Sequence, residues 1–110
     1  MKLPHGDHAQ LGSKLEDYTL NPLHLEGQHK AHVFASVLGI TLGEMEILRG
    51  SVLAAAEASD EVIARGRNGF GEVYVLRFSM TTARGAAMIL TAWIVRNGED
   101  FPRLTTCYIV

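Results

Sequence analysis

Hydrophobic spacing changes once along this chain, near residue 61, and that change constrains the fold more than any other feature. Before it, apolar residues recur at helical intervals; after it, they alternate. Val33, Phe34, Val37 and Leu38 stand at i, i+1, i+4 and i+5, which gives a helix over 28–38 one apolar face, and Gly39 is a natural stop. In "ITLGEMEIL", Thr41 and Glu44 have capping-box spacing, with Ile40 and Met45 placed as a hydrophobic staple. The second helix runs on to about Ser59, with Met45, Leu48, Val52, Ala55 and Ala56 on one side. Ser13 and Glu16 make a similar box before a short helical turn at 14–19. Asn21-Pro22 ends that turn, because the residue before proline avoids helical geometry.

Past residue 61 come four strand candidates: "EVIAR", "EVYVLRFSM", "AAMILTAWIV" and "RLTTCYIV". They are separated by the turns "RNGFG" and "TTARG" and the loop "RNGEDFP". "AAMILTAWIV" is apolar on both faces, so it sits centrally in a sheet. The expected class is α+β, with N-terminal helices packed on one face of a four-stranded antiparallel sheet. Residues 1–12 are polar, contain Pro4 and Gly6, and read as an irregular N-terminal arm; 13–110 read as a single domain. The length of 110 residues suffices for one core, and 47% apolar with 20% charged content is a globular balance.

Net charge is −2, whereas a domain that binds nucleic acid through its overall field is usually basic, so any RNA contact rests on a local patch. The single cysteine, Cys107, excludes an intrachain disulfide and a cysteine zinc cluster and fits a reducing compartment. The N-terminus lacks the apolar stretch of a signal peptide, and no window approaches 18 consecutive apolar residues. A cytoplasmic protein without a membrane partner is expected.

A sheet covered on one side leaves its second face available. If Leu90, Ala92 and Ile94 point to the helices, Ile89, Thr91, Trp93 and Val95 point away, because successive side chains alternate. Burying Cys107 and Ile109 exposes Thr106, Tyr108 and Val110; burying Tyr74, Leu76, Phe78 and Met80 exposes Val75, Arg77 and Ser79. This register collects Arg77, Thr91, Trp93, Thr106 and Tyr108 on the open face, a set able to stack a base and hold a phosphate. The competing reading is packing, since threonines and aromatics are good strand residues.

"LEGQHKAHVFASVLGI" puts His29, Lys30 and His32 in the opening turn of the first long helix. Cations there oppose the helix dipole by about 0.3–1 kcal/mol each. They make sense if the turn holds a phosphate: histidine can serve as general acid or base, and lysine can stabilise charge on phosphorus. A solvated polar turn is the plainer alternative. His29 with His32, and His5 with His8, are too few ligands to indicate a metal.

Several anchors extend from Lys14 to Tyr108: Lys14-Leu15, Asp17-Tyr18, Gly27, His29-Lys30-Ala31, Trp93, and Pro102-Arg103-Leu104 with Thr106 and Tyr108. The chain in these positions resembles an uncharacterised bacterial domain found free-standing and at the C-termini of toxin-like and phage-head-like proteins. Its layout is similar to the ribonuclease superfamily of barnase, EndoU, colicin-type tRNases and RelE-like toxins. By that resemblance His29 and Lys30 match a catalytic helix pair, and Thr106 and Tyr108 a strand pair. The acidic net charge and the lack of a second strand histidine depart from it.

Two readings follow. In the first, the domain is a toxin-type, metal-independent endoribonuclease that needs no cofactor and cleaves RNA, including tRNA, by 2′-hydroxyl attack. His29, Lys30, Thr106 and Tyr108 are its catalytic candidates, and Arg77, Thr91, Trp93 and Arg103 its substrate-binding candidates. In the second, it is a non-catalytic antitoxin, immunity or assembly module that binds a small neighbouring protein through the open sheet face, with Trp93 and Tyr108 as anchors.

Overall fold

The change of spacing marks the boundary between helices and sheet. The computed structural model describes residues 1–110. Its first long helix, α1 (Gln28–Val33), continues as a π-helical stretch, Phe34–Leu38. Gly39 ends it at φ 69°, a left-handed conformation that glycine adopts without a Cβ penalty. A short 3₁₀ turn, Leu42–Glu44, leads into α2 (Met45–Ala58). The expected capping box is present there: the Thr41 amide and hydroxyl both donate to Glu44 Oε1, at 3.0 and 2.8 Å. No single helix is long and apolar enough to cross a membrane.

The other expected box does not form. Residues Leu15–Thr19 make one π-helical turn without a side-chain cap. Glu16 turns instead to Arg49 of α2, 3.1 Å away, and this ion pair holds the turn to the helix layer.

The strands are β1 (Val62–Arg67), β2 (Gly71–Thr81), β3 (Ala86–Arg96) and β4 (Pro102–Ile109), antiparallel in the order β1-β2-β3-β4. The α+β meander with helices on one face is therefore as its sequence implies. Residues 1–12 run along the helix side from one sheet edge to the other. The Val62 amide of β1 donates to the Met1 carbonyl at 3.1 Å, while Gln10 exchanges two 2.9 Å backbone bonds with Pro102 and Leu104 of β4. Between these points, Leu3 and Leu11 join the core and Gly6 lies against the α2 backbone.

The register of β3 corrects one expectation. Thr91 pairs with Leu76 on one side and Cys107 on the other. Directly opposed residues share a face, so Ile89, Thr91 and Trp93 point to the helices and Leu90, Ala92 and Ile94 point away. Trp93 and Thr91 are fully buried. The Trp93 indole N–H donates to Thr91 Oγ1 at 2.8 Å, and the Thr91 hydroxyl donates to the Leu76 carbonyl at 2.9 Å. Neither residue is available to a ligand on the open face. The reason is physical: β3 is apolar on both faces, so alternation alone leaves its register undecided, and the largest side chain takes the side that can enclose it.

Replacing Thr91 with Val should lower unfolding free energy by about 1–3 kcal/mol, because it strands a buried indole donor and a backbone carbonyl. Arg77→Ala, on the exposed side, should stay within about 0.5 kcal/mol of wild type. Urea unfolding followed by Trp93 fluorescence measures both.

Candidate functional site

The first turn of α1 is fastened from two sides. Gly27 is buried, and a Cβ there would stand 2.1 Å from the Tyr18 carbonyl oxygen, so the 15–19 turn and the α1 entrance meet at a position that only glycine fits. The Thr19 hydroxyl donates to the Cys107 carbonyl of β4 at 3.3 Å, which ties the same turn to the sheet edge. These contacts bring three side chains from three segments together. Lys30 Nζ donates to the Tyr18 hydroxyl oxygen at 2.7 Å, lies 4.5 Å from the Tyr18 ring centroid and 5.5 Å from that of Tyr108. All three residues are half-buried.

Lys30 belongs to none of the ion pairs, which join other residues. A lysine between two aromatic rings, with no carboxylate paired to it, is open to an incoming anion. Because the ammonium donates into the Tyr18 oxygen, the phenol's own proton is free to donate elsewhere. The pair thus offers ammonium and phenol hydrogens side by side, which suits phosphate oxygens.

His24 packs its ring edge-on to Tyr18, with centroids 4.7 Å apart. Its Nδ1 accepts from the Glu26 and Gly27 amides, both at 3.1 Å, which fixes the proton on Nε2. His24 therefore shapes the turn. Sequence reasoning did not find Tyr18 or His24 as site residues; Tyr18 lies twelve positions from Lys30, too far for any local spacing rule.

The expected candidates separate into groups. Lys30 and Tyr108 come together. Exposed His29 lies on the other flank of α1, where it lines a pocket of about 580 Å³ with Gln28, His32, Leu20, Pro22 and Leu42. Arg77 shares a cross-strand row with Leu90 and Tyr108, and Thr106 shares the next with Ala92 and Val75. Arg103 makes a two-pronged bond to Glu99, 2.9 Å at each contact, and stacks over Phe101. That bond holds Glu99 below the usual carboxylate range and Arg103 above its own. Thr91 and Trp93 are in the core. No group of three or more His, Cys, Asp or Glu side chains stands where it could hold a metal ion.

Charge is unevenly divided. Residues 1–61 hold four Lys or Arg against nine Asp or Glu, whereas residues 62–110 hold six against three. The sheet is the basic half of an acidic chain.

Residues 2–110 match the family described as "Domain of unknown function (DUF6883)". The chain belongs to that family. No curated protein matches it. In fold, this DUF6883 domain is similar to a chain of a contact-dependent growth inhibition toxin–immunity protein complex from Klebsiella pneumoniae 342, with a TM-score of 0.74 and 14% identity. The likeness covers 91% of this chain and 98% of that one.

Cys107 lies behind the lysine site, and burial pushes its thiol up to about 12 against a smaller opposing pull from Lys30. It stays protonated at neutral pH and is not a nucleophile. A thiol-disulfide reagent at about pH 8, where exposed thiols react readily, should leave the native domain unmodified and label Cys107 after denaturation.

Proposed function

We propose that this DUF6883 domain is a toxin-type, metal-independent endoribonuclease whose phosphate site is Lys30 with Tyr18 and Tyr108. The observation that carries the reading is the half-buried ammonium of Lys30, bracketed by two tyrosines and paired with no carboxylate. The basic sheet beside it supplies the local charge that the chain as a whole lacks. Fold likeness to a chain of a toxin–immunity complex supports a role in such a system.

In this mechanism a phosphodiester binds against the Lys30 ammonium and the Tyr18 and Tyr108 hydroxyls. The RNA 2′-hydroxyl attacks phosphorus as its proton passes to water; His29, on the other flank of α1, takes no part in this step. The bond from phosphorus to the 5′-oxygen breaks, that oxygen takes up a proton from water, and a 2′,3′-cyclic phosphate and a 5′-hydroxyl end result. Thr106 holds a phosphate oxygen, and Arg77, in the row of Tyr108, contacts the next phosphate. Lys30 stabilises the charge that builds on phosphorus, a role whose loss typically costs about 10²–10³-fold in rate.

One observation favours the second reading, a non-catalytic antitoxin or immunity module: the pocket that His29 lines includes neither Lys30 nor Tyr108. Incubating the purified domain at micromolar concentration with total RNA and with tRNA separates the two. Catalysis requires cyclic-phosphate ends from wild type and a fall of about 10²-fold or more with Lys30→Met. Intact RNA with wild type, or full cleavage by Lys30→Met, removes the nuclease reading in favour of the binding module.

A further inference from the structure

The helices cover one side of the sheet; the other is bare. Its centre is aliphatic, with Val75, Ala92 and Ile63 in one cross-strand row and Val73 and Ile94 in the next. Ile63 is 54% exposed, and around the centre Met88 is 43% and Phe70 76% exposed, a large apolar area for a surface that meets only water. Two grooves mark its ends. Ile63, Val75 and Met88 line one, together with Arg77; Phe70 and Ile94 line the other, together with Arg96.

Arg77 and Arg96 are exposed and belong to no ion pair. Of the three carboxylates in the sheet half, Glu72 is held by Arg67 and Glu99 by Arg103, with a weaker pull on Glu99 from Arg96, while Asp100 joins no ion pair. Glu61 stands at the lip of the first groove but not within ion-pair distance of Arg77. The face is thus apolar in the middle, with a cation outside any ion pair at each end, Arg77 at one and Arg96, which only weakly feels Glu99, at the other.

We infer that this open face is the docking surface for an acidic protein partner, one that presents an apolar ridge flanked by Asp or Glu side chains. Charge complementarity selects the occupant: carboxylates at both ends of the ridge would answer Arg77 and Arg96, while the ridge covers the aliphatic centre. A nucleic acid fits the aliphatic centre of this face poorly. Val73, Val75, Ala92 and Ile94 offer bases neither stacking rings nor hydrogen bonds, and Trp93, the residue best suited to stacking, is buried. The inference does not rest on the Lys30 site being catalytic.

A yeast-displayed library of three-helix bundles with one randomised face, selected on the full chain, provides the test. The selected binders should combine Leu, Ile or Phe with Asp or Glu. Their affinity should fall about tenfold or more with the double variant Arg77→Glu/Arg96→Glu, checked for intact fold by circular dichroism, and stay unchanged with Lys30→Met. Failure to enrich binders, or binders indifferent to the double variant, overturns the proposal. A dimer in sedimentation that the double variant dissolves would assign the face to a second copy. Loss of binding to a labelled RNA oligonucleotide by the same variant, with Lys30→Met binding that RNA as wild type does, would assign it to RNA. Either result overturns an acidic protein partner.

Discussion

The cross-strand row Leu76–Thr91–Cys107 sets the orientation of the whole sheet. It fixes which side of β3 the helices cover, and with it the fate of every alternating side chain on the central strands. With Thr91 inward, Trp93 is inward too, and its indole hydrogen finds an acceptor two residues away on the same face. A slip of one residue would place that ring in water and push Leu90, Ala92 and Ile94 into the core. The buried indole-to-hydroxyl-to-carbonyl chain therefore specifies the register as well as stabilising it.

That register has two consequences outside the core. On β4, Cys107 faces inward and Tyr108 faces outward at the sheet edge, where Thr19 anchors the 15–19 turn and Lys30 reaches the tyrosine ring. On β2 and β3, the outward set is aliphatic with arginines at its ends. The molecule thus has two surfaces of different chemistry: a cation-and-phenol cluster beside an edge strand, and an apolar sheet face with charged ends. One suits a small anionic group; the other suits a protein.

Most of the architecture was legible in the sequence because it depends on local spacing. The α1 stop at Gly39, the Thr41/Glu44 box and the four strand segments with their turns each depend on residues close together in the chain. What was not legible depends on distant partners. Ser13 and Glu16 have the spacing of a cap, but Arg49, thirty-three residues further on, takes the Glu16 carboxylate. β3 is apolar on both sides, so only its pairing with Leu76 and Cys107 decides its faces. At the site, Lys30 and Tyr108 were both visible as candidates, but Tyr18 reaches Lys30 only because Gly27 lets two backbone segments touch. His29 and Lys30 are neighbours in sequence, yet on a helix adjacent residues point about 100° apart, and these two serve opposite flanks.

A phosphate held by Lys30, Tyr18 and Tyr108 would show in an NMR titration with a short RNA carrying 2′-deoxy sugars, which lacks the attacking hydroxyl and so isolates binding from cleavage. The Lys30 side-chain signals and the ring signals of Tyr18 and Tyr108 should move first and together, and Lys30→Met should abolish the shifts. Shifts confined to Val73, Val75 and Ile94 on the open face, or none at all, would contradict it.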